Sequence, residues 1–140
     1  MTNILAAYRE LESKLGNAAL FTIGEKIPEN AVFPPEVDSI EKGLASIDVA
    51  YHMNHMKGTQ LMFNAQTGDK ISGIGNYHFI LLSGGEAEII CDNPYPTAFD
   101  EGIIFAIAQR FNKASVVYLL QEKSSRSAVG GKDVYLVQWF

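Results

Sequence analysis

Three histidines and one cysteine, with 16 acidic residues around them, carry whatever side-chain chemistry this sequence offers. His52 and His55 in "YHMNH" stand three residues apart, with Met53 and Met56 beside them. On a helix that spacing puts both imidazoles on one face, where they could grip a transition metal. A metal centre needs further ligands, and only His78, Cys91 and dispersed carboxylates remain to supply them. Packing of a helix end is therefore the preferred reading, and no metal is assigned. Cys91 as a nucleophile would need an activating base and some exposure. Nothing in the sequence sets a histidine beside it, so it reads as a buried thiol. His78 in "GNYHFILL" has the opposite strand parity to Tyr77 and Phe79 and reads as a surface residue.

Other motifs fail for similar reasons. "GIGNYH" lacks the third glycine and the following helix of a phosphate loop. Ser124, Ser125 and Ser127 lie in a polar loop with Arg126, outside any nucleophile elbow. Asp100 and Glu101 are neighbours, so on a helix they point about 100° apart and make a poor catalytic pair. Near the start of a helix they suit its positive end instead. No catalytic residue and no cofactor is assigned. A small metal- or thiol-dependent enzyme using His52, His55 or Cys91 stays as the alternative.

The elements that would hold these residues follow from periodicity. Ile4, Tyr8, Leu11 and Leu15 predict a first helix, stopped by Gly16 and Asn17. "ALFTIGEKIPENAVFPPE" reads as a short strand or loop rich in turn formers. Asp38 and Glu41 resemble a capping box for a second helix. Its apolar stripe is Val37, Ile40, Leu44, Ile47 and Tyr51. "TQLMFN", "KISGIGNYHFILL" and "EAEIICD" read as three strands, the last with Ala87, Ile89 and Cys91 on its apolar face. Pro94 and Pro96 end that strand, and Thr97 caps a helix over residues 97–112. Phe99, Ile103, Ile107 and Phe111 form its buried stripe. "SVVYLLQE" and "DVYLVQWF" predict a closing hairpin. The fold class is α+β: an antiparallel five-stranded sheet packed with two or more N-terminal helices. The 140 residues form one domain, helical over 1–56, with the sheet and its helix over 57–140.

Composition narrows the partners. Hydrophobic residues make up 47% and charged residues 19% of the chain, which suits an apolar core. A net charge of −5 without basic runs argues against nonspecific nucleic-acid binding. A single cysteine excludes an intramolecular disulfide and suits a reducing compartment. "MTNILAAYRELESKL" has no basic leader or long apolar stretch, and no apolar run is long enough to span a bilayer. The expectation is a cytoplasmic protein with no membrane partner.

The segment from "CDNPYPTAFDEGIIFAIAQRF" through "SVVYLL" to "SSRSAVGGKDVYLVQWF" resembles the 4-vinyl reductase domain, a predicted hydrocarbon-binding domain. The resemblance covers roughly residues 70 to 140. Its superfamily includes haem nitric-oxide-binding domains and vesicle-tethering subunits. It implies a domain that accommodates a hydrocarbon or acyl chain and associates through helices. Cys91 is kept, whereas Thr97, Ser125 and Asp133 stand where relatives carry cysteines, so a cysteine-rich metal site is not carried over. Arg126 matches the family's Cys-Arg pair and would meet the polar end of a ligand. The Tyr-x-Ser-x-Arg signature of haem sensors is absent, so haem is not implied. The combined expectation is a noncatalytic binding or sensory domain for an apolar small molecule, acting as a homodimer. Its pocket would be lined by Tyr51, His55, Tyr77, Phe79, Phe99, Ile103, Tyr118 and Arg126. A pure assembly subunit is the remaining alternative.

Overall fold

The computed structural model describes residues 2–29, 31, 33–53, 56–57, 60–61, 67, 75–93, 95–124 and 131–140. The first helix, α1 (Thr2–Glu29), is broken at Gly16, whose φ of 76° and ψ of 172° leave the helical region. That positive φ is readily adopted only by glycine, and it marks the stop expected there. The chain then resumes as helix instead of the expected strand or loop. Leu20, Gly24 and Pro28 recur every four residues and are all buried, which is one helical face.

The second helix, α2 (Ile40–Met53), buries Ile40, Leu44, Ile47 and Tyr51 as the stripe predicts. Its cap differs from the expected box. Ser39 Oγ accepts the backbone N–H of Lys42 at 3.2 Å, while Asp38 pairs with the Lys42 ammonium at 2.9 Å. Ser39 thus satisfies a donor that the first turn leaves open.

Four antiparallel strands form the sheet: β3 (Asn76–Ser83), β4 (Glu86–Asp92), β5 (Val116–Leu119) and β6 (Asp133–Gln138), in the order β3-β4-β6-β5. The two closing strands pair antiparallel, with Val117 opposite Val137 and Leu119 opposite Tyr135. The expected fifth strand over 59–64 lies mostly outside the described residues. Its described part, β2 (Gln60–Leu61), pairs with β1 (Met56–Lys57) in a separate two-stranded ladder. Opposed pairs define the inner face. One row is Tyr77, Cys91 and Asp133, and the next is Phe79, Ile89, Tyr135 and Leu119. Ala87, Ile89 and Cys91 are each no more than 1% exposed, so strand parity located the apolar face correctly.

The third helix, α3 (Thr97–Phe111), is the centre of the molecule, touching α1, α2 and the strands β5 and β6. Ile103, Ile104, Ile107 and Ala108 are all buried on it, because it has neighbours on more than one side. Its closest approach is to α1. A Cβ on Gly24 would strike the Phe99 carbonyl oxygen, and a Cβ on Gly102 would strike the Phe21 carbonyl oxygen. The two backbones therefore touch through a reciprocal pair of glycines, flanked by the Phe21 and Phe105 rings at 5.4 Å. At the far end Arg110 lies 4.5 Å over the Phe33 ring, which also meets Phe111 edge-on. Among the described residues no helix is long and apolar enough to cross a membrane.

Gly102→Ala should cost about 1–3 kcal/mol in denaturant unfolding, since the helices must separate to admit a methyl group. Gly84, which has nothing within 4 Å of its would-be Cβ, serves as the control and should tolerate alanine.

Candidate functional site

The corner "CDNPYPTAFDEG" does more than turn a strand into a helix. Cys91 ends the buried row of β4, and Asn93 begins a tight turn by accepting the Tyr95 backbone N–H at 2.9 Å. Such Asx geometry stands in for a backbone turn. Pro96 is the N-cap of α3, and its carbonyl accepts the N–H groups of Phe99 at 3.1 Å and Asp100 at 3.3 Å. No side chain caps the helix, so the expected Thr97 cap is corrected: Thr97 is the first helical residue. Its carbonyl instead accepts the Tyr135 hydroxyl at 2.9 Å, tying β6 to the first turn.

Asp100 departs furthest from expectation. It lies in the first turn of α3, near the positive end as expected, but it is 0% exposed. Its Oδ1 accepts a short hydrogen bond from the Tyr77 hydroxyl, and its Oδ2 accepts Asn93 Nδ2 at 3.1 Å. Two donors and the positive end of α3 surround this carboxyl group, which is how a buried acid becomes tolerable. Tyr77 is held at both ends, because its backbone N–H donates to Asp48 Oδ1 at 3.0 Å. Burial first, and then the nearby Asp100 charge, push the Tyr77 phenol well above its ordinary range. Burial likewise pushes Tyr135 up, with Cys91, Asp133 and Asp100 adding to it. Glu101, beside Asp100, is raised by burial and then by the Asp133 charge.

Aromatic rings close over this polar centre. Tyr51 meets Tyr77 edge-on at 5.2 Å and Tyr95 at 6.2 Å, and Tyr95 stacks on Phe99 at 5.2 Å. Of the eight residues expected to line a pocket, Tyr51, Tyr77, Phe99 and Ile103 belong to one buried cluster with Tyr95. Phe79 packs against the edge of that cluster, two residues along β3 from Tyr77. Tyr118 is elsewhere. It is 50% exposed and opposite Leu136, on the sheet face turned away from Tyr77 and Tyr135. Strand alternation in "SVVYLL" was the available signal, since Val117 and Leu119 face inward and leave Tyr118 outward. His55 and Arg126 lie outside the described residues.

His52 is buried and turned to its own helix. Its Nδ1 lies 2.8 Å from the Asp48 carbonyl oxygen and 3.3 Å from Asp48 Oδ1. A carbonyl only accepts, so Nδ1 carries the proton and donates. The ring therefore braces Asp48, whose carboxylate in turn accepts the Tyr77 N–H of β3. Among the described residues no three His, Cys, Asp or Glu side chains come together as a metal-binding group. Cys91 is fully buried between Tyr77 and Asp133. Sequence reasoning missed Asn93, Tyr95 and Asp48, and placed Asp100 at the helix start without its burial or its partners. For Asp100 a signal existed: it precedes Ile103, Ile104 and Ile107 by three, four and seven, so it shares their buried face.

Comparison with family models, curated proteins and solved structures finds no match for this chain.

Asp100→Asn should cost about 1–3 kcal/mol, because one of the two donors then faces an amide N–H₂. In a double-mutant cycle with Tyr77→Phe the two losses should be strongly non-additive, and simple additivity would count against the direct bond. The raised tyrosines also set a pH response. Both favour the neutral phenol when folded, so their contribution is complete below the ordinary phenol range near about pH 10 and is lost as pH rises beyond it. Alkaline titration followed by tyrosinate absorbance, with Tyr77→Phe and Tyr135→Phe to assign the signals, should show that these two tyrosines ionise only together with unfolding. Titration of all six tyrosines in the folded protein would contradict the network.

Proposed function

We propose that this chain is a noncatalytic domain that takes an apolar small molecule between its helices and its sheet. The observation carrying the reading is the convergence of Tyr51, Tyr77, Tyr95, Phe99 and Ile103 on one cluster, drawn from α2, β3, the β4–α3 corner and α3. Small-molecule sites are mostly apolar and aromatic with a few fixed polar groups. Here the fixed groups are the Asp100 carboxyl, the Tyr77 hydroxyl and the Asn93 amide. The resemblance to predicted hydrocarbon-binding domains points to the same class of guest. On this reading Arg126 and His55 would meet the polar end of the ligand, and the domain works as a homodimer in the cytoplasm. The lining rings touch one another, so a guest would have to part them rather than fill an open hole.

A second reading, an assembly subunit without a small ligand, is favoured by the filled interior. Leu44, Ile89, Ile104 and Tyr135 are each at most 1% exposed. A homologous series of fatty acids separates the two. For a binding domain each buried methylene adds about 0.8 kcal/mol, so affinity should climb roughly fourfold per carbon until the site is full. Thermal stability should rise with saturation in step, by about 2.7 kcal/mol at a hundredfold excess over Kd. Native mass spectrometry should show one bound chain per protomer. If no chain length gives a saturable shift, the binding reading falls and the assembly reading stands.

A further inference from the structure

The sheet ends in two edge strands that are protected very differently. β5 has four residues and runs into a short 3₁₀ turn, Gln121–Lys123. β3 has eight residues, "NYHFILLS", without a single Asp, Glu, Lys, Arg or Pro. Natural edge strands are normally blunted by charge, proline or brevity, because a bare edge templates pairing. At one point β3 is blunted: the Tyr77 N–H, turned away from β4, donates to Asp48. Strand alternation turns the N–H and C=O groups of Phe79 and Leu81 the same way. Among the described residues no backbone hydrogen bond beyond the β4 ladder reaches those two positions. Leu81 and Leu82 are 52% and 47% exposed.

We propose that β3 pairs with the β3 strand of a second copy of this chain, antiparallel across a two-fold axis at Ile80. In that register Phe79 of each copy stands opposite Leu81 of the other, and each such pair exchanges both of its N–H···O bonds. Ile80 meets Ile80, and His78 meets Leu82. The alternatives of this kind fail. An axis at Phe79 would need the Tyr77 N–H, which Asp48 holds. An axis at Leu81 would pair Phe79 with Ser83, across the irregularity between Leu81 and Ser83.

The lack of charge along this edge lowers the repulsion that a second copy would meet elsewhere on the surface. Copies carrying −5 repel each other, so they approach best along an uncharged strip. The carboxylates next to that strip on β4 are already engaged. Glu88 accepts from Lys123 at 2.7 Å, and Glu86 accepts from Gln138 at 2.7 Å. The regular ladder is short, so the dimer is a weak one whose population follows concentration. This pairing does not depend on whether the interior takes a ligand.

Sedimentation from low micromolar to near-millimolar protein should show a reversible monomer–dimer equilibrium. Leu81→Lys, an exposed change that leaves the fold intact by circular dichroism, should raise the dimer dissociation constant at least about tenfold by setting charges in the apolar contact. Hydrogen exchange gives an independent readout. The Phe79 and Leu81 amides should slow as concentration rises, whereas the Tyr77 amide should be protected throughout. A protein that stays monomeric at every concentration, or a dimer that Leu81→Lys leaves unchanged, overturns the proposal. So does a dimer in which the Phe79 and Leu81 amides gain no protection.

Discussion

The placement of α3 on the sheet depends on one buried carboxyl group. Asp100 is out of water entirely, and an acid in that position is costly unless its oxygens find donors. The donors come from two different elements, Tyr77 on β3 and Asn93 at the end of β4. Both are met only when the first turn of α3 sits at one height and one rotation above the sheet. Apolar burial alone would tolerate some sliding of a helix whose buried side is so uniformly Ile and Ala. The carboxyl group removes that freedom, as buried polar groups do when they specify register in other settings.

A second constraint acts on the opposite side of α3. Gly24 and Gly102 let α1 and α3 approach until each backbone meets the other's missing side chain. This contact has no directional chemistry and no charge, only space. It works because Asp100 has already fixed the height of α3, so that Gly102 faces Gly24 and not a neighbouring turn. The polar tie and the glycine contact lie two residues apart on one helix. A shift in either would be felt in the other.

Much of the fold was legible because periodicity survives wherever an element has one buried side. The α2 stripe and the alternation of β4 are of that kind, and both locate the core. The second half of α1 was not legible. Its one-sided pattern, Leu20, Gly24 and Pro28, uses two residues that sequence reading treats as turn formers, although here they serve close approach and a helix end. The candidate site was legible in its aromatics and not in its polar groups. Phe99 and Ile103 announce themselves by spacing. Asp100 was taken as a helix-dipole partner, since local charge logic is satisfied by that role and says nothing about Tyr77, 23 residues earlier in the chain. Tyr118 shows the opposite failure, an aromatic counted for its type when its parity placed it outside.

The polar centre also bears on what the interior could accept. Tyr77 is fixed by its N–H to Asp48, by its hydroxyl to Asp100 and by its ring to Tyr51. A guest with strong hydrogen-bonding groups would have to displace Tyr77 or Asn93 from the carboxyl group, leaving buried groups unmade at about 1–3 kcal/mol each. A hydrocarbon chain makes no such demand. On the proposed binding reading, the same network that fixes α3 on the sheet would therefore disfavour polar guests, without any residue devoted to that purpose.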